Sequence, residues 1–293
     1  TRDQLRRRMV NRNLANRLKV AGVGIPLCAL VTYMGGYAFA TGLGAIAAIG
    51  YWEFSRMVRS SGLPVLKVPG VLAAFLYPFV LLIGQLRGAV FYSVGLVMVF
   101  TAFAMATIPI ERKPIRSAAV TVFGVIYVGG LLAFGILLRE GSFVYDNQID
   151  STADRTTWSM FFLFPVVITW VVDTAAYFGG RRYGKRKMAP KVSPNKTLAG
   201  AIFGMIAAIT IAPVYSHILL PDLWVFGWST TIAFGLAVGG VAVVGDLAES
   251  ALKRECGVKD SSNLLPGHGG MLDRLDSILW ALPATFFFML LVN

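Results

Sequence analysis

Long apolar blocks dominate this sequence and constrain its fold more than any other feature. Each block runs for roughly 15–25 residues, the length at which an α-helix crosses about 30 Å of hydrocarbon. Strands of a membrane β-barrel would alternate apolar and polar residues over runs of about ten, and these blocks do not alternate. Charged residues make up only 14% of the 293 residues, too few to cover a water-facing surface. The sequence therefore predicts an all-α, polytopic membrane protein.

Nine apolar blocks are predicted to form the transmembrane helices. By residue number they are 20–34, 36–54, 68–84, 89–108, 118–138, 158–178, 198–218, 225–252 and 275–292. A basic arm at residues 1–19 precedes N-terminal helices at residues 20–156 and a C-terminal region at residues 157–293 that carries the predicted site. No small-residue cleavage site follows the first block, so we expect it to be retained as a helix rather than removed as a signal peptide.

The distribution of Lys and Arg predicts the orientation of these helices. All but three of the 27 basic residues fall in segments that nine crossings place on one side, and the exceptions are Arg87, Arg139 and Arg155. Because basic loops stay in the cytoplasm, the N-terminus is predicted to be cytoplasmic, in a bacterial inner membrane. The net charge of +12 fits either attraction to anionic lipids or collection of an anionic substrate. Nucleic acid is not an expected partner, because no soluble module is present to dock it.

The eighth block ends in a charged helical face. Its polar residues are spaced i, i+3, i+4 and i+7, and they are Asp246, Glu249, Ser250 and Lys253. Carboxylates inside an apolar helix are costly unless they meet a cation or a water-filled cavity, so they indicate a functional site. A structural ion pair with Lys253 is the favoured explanation for Glu249. It does not explain Asp246, which lies one turn deeper.

A glycine-rich loop connects this face to the last block. A turn such as Gly269-Gly270 before a helix exposes backbone N–H groups that bind oxyanions. Asp273 and Asp276 then share a face in the first turn of the last helix, where capping is the alternative role for one of them. Together with Asp246 they predict a hard oxygen site suited to Mg²⁺, with substrate phosphate completing its coordination.

Few residues suggest other metal or thiol chemistry. His268 has three explanations: a zinc ligand, which no Cys or His partners support, a phosphate or base contact, and a structural loop histidine. Cys28 lies within a predicted span and Cys256 on the predicted cytoplasmic side, so they are not expected to meet. We predict no disulfide and no thiol chemistry.

A second polar cluster lies at the end of the sixth block and in the loop after it. Asp173 is inside the block, and Tyr177 follows one helical turn later on the same face. The loop ends in Ser193, Pro194, Asn195, Lys196 and Thr197. Basic residues with small hydroxyl residues at a helix start suit a triphosphate or a lipid phosphate. For Arg186 and Lys187, charge that sets the topology is the better explanation.

The polar positions from Ser250 to Asp276 resemble the motif of the phosphatidate cytidylyltransferases, also called CDP-diacylglycerol synthases. The matching positions are Ser250, Lys253, Arg254, Lys259, Asp260, Ser262, Leu265, Pro266, His268, Gly269, Gly270, Asp273, Arg274 and Asp276. The cluster from Asp173 to Tyr177 and the run at 193–197 are similar to that family's upstream motif. The resemblance is strong over residues 170–277, whereas the N-terminal half matches only as apolar blocks. One position departs from the pattern, because Ala199 stands where the family usually has Glu.

This resemblance implies an enzyme of phospholipid biosynthesis that makes CDP-diacylglycerol and pyrophosphate from CTP and phosphatidic acid. It implies Mg²⁺ at Asp246, Asp273 and Asp276, with or without a second cation such as K⁺, and it adds Lys253 to these aspartates as a catalytic residue. The residues expected to contact the substrates are Asp173, Tyr177, Ser193, Asn195, Lys196, Thr197, Ser250, Arg254, Lys259, Asp260, His268, Gly269, Gly270 and Arg274. Membrane lipids and a second copy of the chain, forming a homodimer, are the other implied partners.

Two other functions fit parts of the sequence. A transporter or channel could use Asp173, Asp246 and Glu249 as an ion path, but it predicts polar residues threaded through several spans, and the first five spans carry almost none. An enzyme acting on another lipid phosphate, such as a lipid kinase or an isoprenoid or ether-lipid cytidylyltransferase, remains open. Selectivity for the lipid chain depends on apolar helices that the motif does not describe.

Overall fold

The computed structural model describes residue 22 and residues 24–141, 154–221, 227–264 and 269–292. Within this part of the chain the helices are α1 Gly24–Met34, α2 Gly36–Ser60, α3 Lys67–Thr107, α4 Pro114–Arg139, α5 Arg155–Tyr183, α6 Leu198–Leu219, α7 Trp228–Glu255 and α8 Leu272–Val292. Six of them, α3 to α8, are long and apolar enough to cross a membrane. The prediction of a polytopic helical membrane protein is confirmed. The number of nine crossings and the cytoplasmic N-terminus stay predictions, and the basic arm at residues 1–19 lies outside the described residues.

Helix α3 consists of two antiparallel segments that meet at Gln85. This residue has φ 48° and ψ −146°, which no α-helix contains. The Tyr77 and Ser93 hydroxyls are 2.7 Å apart, and the Tyr92 hydroxyl donates to the Ala73 carbonyl at 2.9 Å. A straight helix would separate Tyr77 from Ser93 by about 24 Å. The predicted blocks 68–84 and 89–108 are therefore two helices that lie side by side.

Helix α4 changes its winding in the middle. It comprises an α-helical segment Pro114–Gly124, a π-helical turn Val125–Gly130 and a second α-helical segment Leu131–Arg139. The short 3₁₀ turn Ile110–Arg112 precedes it. The helix packs against α2, α3 and α8, and most of its residues are buried. It therefore forms the centre of the N-terminal half.

The last helix joins the two halves of the molecule. Helix α8 consists of a first turn Leu272–Leu275 and the segment Ile278–Val292, and it packs against α4, α5 and α7. Phe286 contacts Phe134 of α4 with ring centroids 5.5 Å apart, and Phe288 contacts Phe234 of α7 at 5.3 Å. Because Asp273 lies in the first turn of α8 and Asp276 directly follows that turn, this packing fixes both aspartates relative to both halves.

A short β-hairpin, which the sequence did not predict, interrupts the helices. Strand β1 Lys187–Ala189 pairs antiparallel with β2 Ser193–Thr197. Strand β2 runs directly into α6, where the Thr197 hydroxyl caps the helix by accepting from the Gly200 N–H at 3.1 Å. Ala199 lies in this first turn, so the helix start is capped without an acidic residue at that position. The hairpin brings Lys196 into contact with Asp246 of α7.

Candidate functional site

A cavity of about 610 Å³ opens where α5, α6, α7 and the β-hairpin meet. Several predicted substrate and metal residues line it together, and they are Asp173, Tyr177, Asn195, Lys196, Thr197 and Asp246. The sequence separated these residues into two clusters, one around Asp173 and Lys196 and one at Asp246. The fold unites them because α5, α6 and α7 pack consecutively against one another.

Lys196 and Asp246 form an ion pair across this cavity. Each side chain is 24% exposed, although the Lys196 ammonium nitrogen itself is buried, so the pair is only partly open to the cavity. Lys196 lies on β2 and Asp246 on α7, so the pair holds the hairpin against the helix. In such a cavity the lysine can leave the carboxylate to bind a phosphate, and the carboxylate can then bind a metal ion. Phosphate is a strong ligand for an ammonium group, and carboxylate oxygens are strong ligands for hard metal ions.

Asp276 approaches the same carboxylate from α8. The Asp276 backbone lies against Gly245, the residue that precedes Asp246 on α7. Gly245 makes this approach possible, because a Cβ atom there would lie 2.9 Å from the Asp276 carbonyl oxygen and 2.7 Å from the Trp280 ring. Clustered carboxylates whose repulsion a cation would relieve are suited to a hard divalent ion.

The predicted third metal ligand, Asp273, already accepts several hydrogen bonds. It accepts from the Lys253 ammonium group at 2.7 Å, from the Ser261 N–H and hydroxyl, each at 3.0 Å, and from the Gly270 N–H at 2.9 Å. Among the described residues, no group of three or more His, Cys, Asp or Glu side chains is arranged to hold a metal ion. Asp246 and Asp276 therefore fit a cation better than Asp273 does, and the ligand set of three aspartates stays a prediction.

Lys253 lies between two carboxylates in the interior. Besides Asp273 it contacts Glu249 at 2.9 Å, which confirms the ion pair that the sequence favoured for Glu249. The Glu249 side chain is fully buried and Lys253 is 11% exposed. Because buried charges are tolerated only in pairs, this lysine compensates two carboxylates at once.

Glu53 is the polar residue at this site that the sequence analysis missed. It lies on α2, fully buried, and its carboxylate accepts four hydrogen bonds from the start of α8 and from the loop between α7 and α8, which we name the signature loop. The donors are the hydroxyls of Ser261 at 3.0 Å and Ser262 at 2.5 Å and the N–H groups of Met271 at 2.9 Å and Leu272 at 2.8 Å. A single acidic residue within an apolar block was the available signal, since a carboxylate there is costly unless it is bound.

The glycines of the loop serve this packing. Gly269 has φ 81°, which favours glycine. A Cβ atom on Gly270 would lie 1.9 Å from the Ser261 hydroxyl and 2.7 Å from the Glu53 carboxylate, so no side chain fits there. The sequence predicted that backbone N–H groups here bind oxyanions. They do, but the Gly270 and Met271 N–H groups bind carboxylates of the chain itself.

The other predicted substrate residues lie around the cavity at Lys196 and Asp246 and around the hydrogen-bond network of Glu53 and Asp273. Arg254 donates to the carbonyls of Val192 at 3.3 Å and Val258 at 2.8 Å, so it ties α7 to the hairpin. Ser250 is buried on α7. Asp260 lines a separate cavity of about 500 Å³ between α2 and the loop, together with Trp52. Ser193 pairs with Ala189 in the hairpin, Lys259 and Arg274 are exposed, and His268 lies outside the described residues.

Both cysteines are free, as predicted. Cys28 is exposed on α1, and Cys256 is buried just after α7. Burial raises the pKa of the Cys256 thiol, which opposes formation of the reactive thiolate. The absence of thiol chemistry at these two residues stays a prediction.

Comparison with known proteins decides the family. The model of the cytidylyltransferase family matches residues 15–292. The chain belongs to this family. Among its relatives is a phosphatidate cytidylyltransferase of Haemophilus influenzae, 34% identical over 278 residues, which cover 91% of this chain and 94% of the relative. The phosphatidate cytidylyltransferase of Bacillus subtilis is 31% identical and covers 76% of this chain and 96% of its own length.

A third phosphatidate cytidylyltransferase, from Synechocystis, is 28% identical over 290 residues, which cover 94% of this chain. The resemblance seen in the sequence is thereby confirmed, and so is the prediction that this cytidylyltransferase is an enzyme. The similarity extends over the N-terminal half, which the motif alone did not reach, and it includes the helix that carries Glu53.

Proposed function

We propose that this enzyme transfers a cytidylyl group from CTP to phosphatidic acid and releases pyrophosphate, which gives CDP-diacylglycerol for phospholipid synthesis. The relatives named phosphatidate cytidylyltransferases support the substrates. The observation that carries the proposal for the site is the cavity with the Lys196–Asp246 ion pair, which lies where the apolar helices α5, α6 and α7 meet a polar hairpin. Such a place allows a soluble nucleotide to meet a membrane lipid.

The chemistry needs a bond between a phosphate oxygen of the lipid and the α-phosphorus of CTP. As that bond forms, the bond from the α-phosphorus to the bridging oxygen of the β-phosphate breaks, and pyrophosphate leaves with the electron pair. The attacking oxygen is already anionic near neutral pH, so no side chain has to remove a proton. The demands are to reduce repulsion between two anions and to align them.

Residues of this chain can meet both demands. Lys196 lies in the cavity and is placed to bind a phosphate once it leaves Asp246. Lys253 is fixed by two carboxylates, Glu249 and Asp273, and is proposed to act beside Lys196. Asp246, Asp273 and Asp276 would hold Mg²⁺, which neutralises triphosphate charge when bound. A second cation such as K⁺ belongs to the same proposal.

Location and assembly complete the proposal. We infer a bacterial inner membrane, nine crossings with a cytoplasmic N-terminus, and a site at the cytoplasmic boundary, because basic residues gather on one predicted side of the apolar helices. A homodimer is inferred from the family resemblance.

The direct test is an assay with purified enzyme in mixed micelles of detergent and phosphatidic acid. We expect radiolabelled CTP to yield one CDP-lipid for each pyrophosphate released, and we expect EDTA to stop the reaction and excess Mg²⁺ to restore it. Replacing phosphatidic acid by diacylglycerol is the matched control, because it lacks the attacking phosphate. Absence of CDP-lipid and pyrophosphate with folded enzyme would contradict the proposal.

A further inference from the structure

We propose that Glu53 is a positioning residue for cytidylyl transfer, one that fixes the signature loop and thereby places Asp273 and Lys253. The inference rests on the proposed function of the site. Glu53 belongs to the N-terminal half and lies 208 residues before Ser261, its first partner in the loop. The N-terminal half would then take part in the active site as well as in anchoring.

Burial and pairing show that the loop cannot leave Glu53 without a large cost. The side chain is fully buried, and a buried carboxylate is tolerated only where donors surround it. All four donors described for it come from the segment between Ser261 and Leu272. If that segment moved away from α2, the carboxylate would keep none of them. Glu53 therefore holds the described residues at both ends of the loop, Ser261 and Ser262 at one end and Met271 and Leu272 at the other.

One hydroxyl links Glu53 to the predicted catalytic residues. The Ser261 hydroxyl lies 3.0 Å from a Glu53 oxygen and 3.0 Å from an Asp273 oxygen. It has one proton and can donate to only one of them at a time. Asp273 also accepts from Lys253, so a change at Glu53 reaches the lysine through Ser261 and Asp273.

The start of α8 is a second link. Glu53 binds the N–H groups of Met271 and Leu272, where the positive end of a helix favours an anion. Asp273 follows directly and Asp276 comes one turn later, so the angle at which both carboxylates leave this helix depends on the same contacts. The tight fit at Gly270, where no Cβ atom has room, leaves the loop little freedom to adjust.

Glu53→Gln is the informative substitution because it keeps size and removes one acceptor. One carboxylate oxygen binds Ser262 and Met271, and the other binds Ser261 and Leu272. Whichever way the amide is turned, its NH₂ group faces a backbone N–H, so one helix-start N–H loses its partner. Glu53→Asp keeps the acceptors on a shorter side chain, and Ser262→Ala removes a single donor.

The kinetic test compares these variants with Ser55→Ala, which removes a buried hydroxyl from the same helix without touching the loop. Rates are divided by the folded fraction measured by gel filtration. For Glu53→Gln we expect kcat to fall at least about tenfold and KM for CTP to rise about fivefold, with KM for phosphatidic acid unchanged. Glu53→Asp and Ser262→Ala should show smaller changes in the same direction.

A merely structural role predicts something else, because misfolding lowers the amount of active enzyme and leaves KM for CTP unchanged. Normal kcat and KM in folded Glu53→Gln would overturn the inference, as would an equal effect of Ser55→Ala. Hydrogen–deuterium exchange provides a readout that does not need the reaction. Peptides covering residues 269–276 should exchange at least about tenfold faster in Glu53→Gln. Unchanged exchange would contradict the anchoring itself, whereas an inactive wild-type enzyme would contradict only the proposed reaction.

Discussion

The cavity around Lys196 and Asp246 and the network around Glu53 and Asp273 use the same kinds of side chain in opposite ways. In the cavity, Asp173 and Asp246 come from different helices, Lys187 and Lys196 both line the wall, and the Lys196–Asp246 ion pair is 24% exposed. In the network, Glu53 and Asp273 each accept from several donors, and Glu53 is fully buried. Charged groups that lack a full set of hydrogen-bond partners can bind ligands, whereas charged groups with a full set stabilise one conformation.

Replacing Lys253 is expected to have the largest effect on stability, and it tests whether the buried network stabilises the fold. Lys253→Met leaves both Glu249 and Asp273 without their cation in the interior, so we expect the free energy of unfolding to fall by about 3 kcal/mol. Thermal melting in detergent measures this. The double variant Lys253→Met with Glu249→Gln should recover part of the loss, because it removes one of the two unpaired charges. Unchanged melting in the single variant would show that the network does not stabilise the fold.

Lys196 is the matched lysine of the cavity. Lys196→Met should lower kcat/KM by at least about tenfold, because a phosphate loses its cation. Stability should change by no more than about 1 kcal/mol, since the ion pair is partly exposed. Steady-state kinetics and melting on the same preparation check both values. If Lys196→Met destabilised the enzyme as much as Lys253→Met, the two regions would not differ as described.

Much of the cavity was predictable from the sequence, and the network was not. Helical spacing placed Asp246 on a polar face, Asp173 and Lys196 stood out as a second polar cluster, and the family resemblance covered both clusters, because each lies in a local motif. Glu53 could not be assigned, because its role depends on a loop more than two hundred residues away and no local pattern encodes that contact. The sequence suggested a phosphate loop at Gly270, and its N–H instead binds Asp273.

In the fold, too, some elements were predictable from the sequence and others were not. Apolar blocks predicted the helices well, and a break between the blocks before and after Gln85 anticipated the hairpin of α3. The β-hairpin at Lys187–Ala189 and Ser193–Thr197 was missed. Its strands are three and five residues long, too short for an alternating pattern to be recognised, and they are held by packing against the helix ends.

The central claim is that the open carboxylates of the cavity perform the chemistry, and Asp246→Asn tests it most directly. The measurement is CDP-lipid formation across a Mg²⁺ titration, with melting temperature recorded on the same samples. Asp154→Asn is the matched control, because it makes the same change at an exposed helix cap where Asn serves equally well. We predict a loss of at least about 100-fold in kcat/KM for Asp246→Asn at every Mg²⁺ concentration, with unchanged melting. Activity within threefold of wild type and an unchanged Mg²⁺ response would contradict the account.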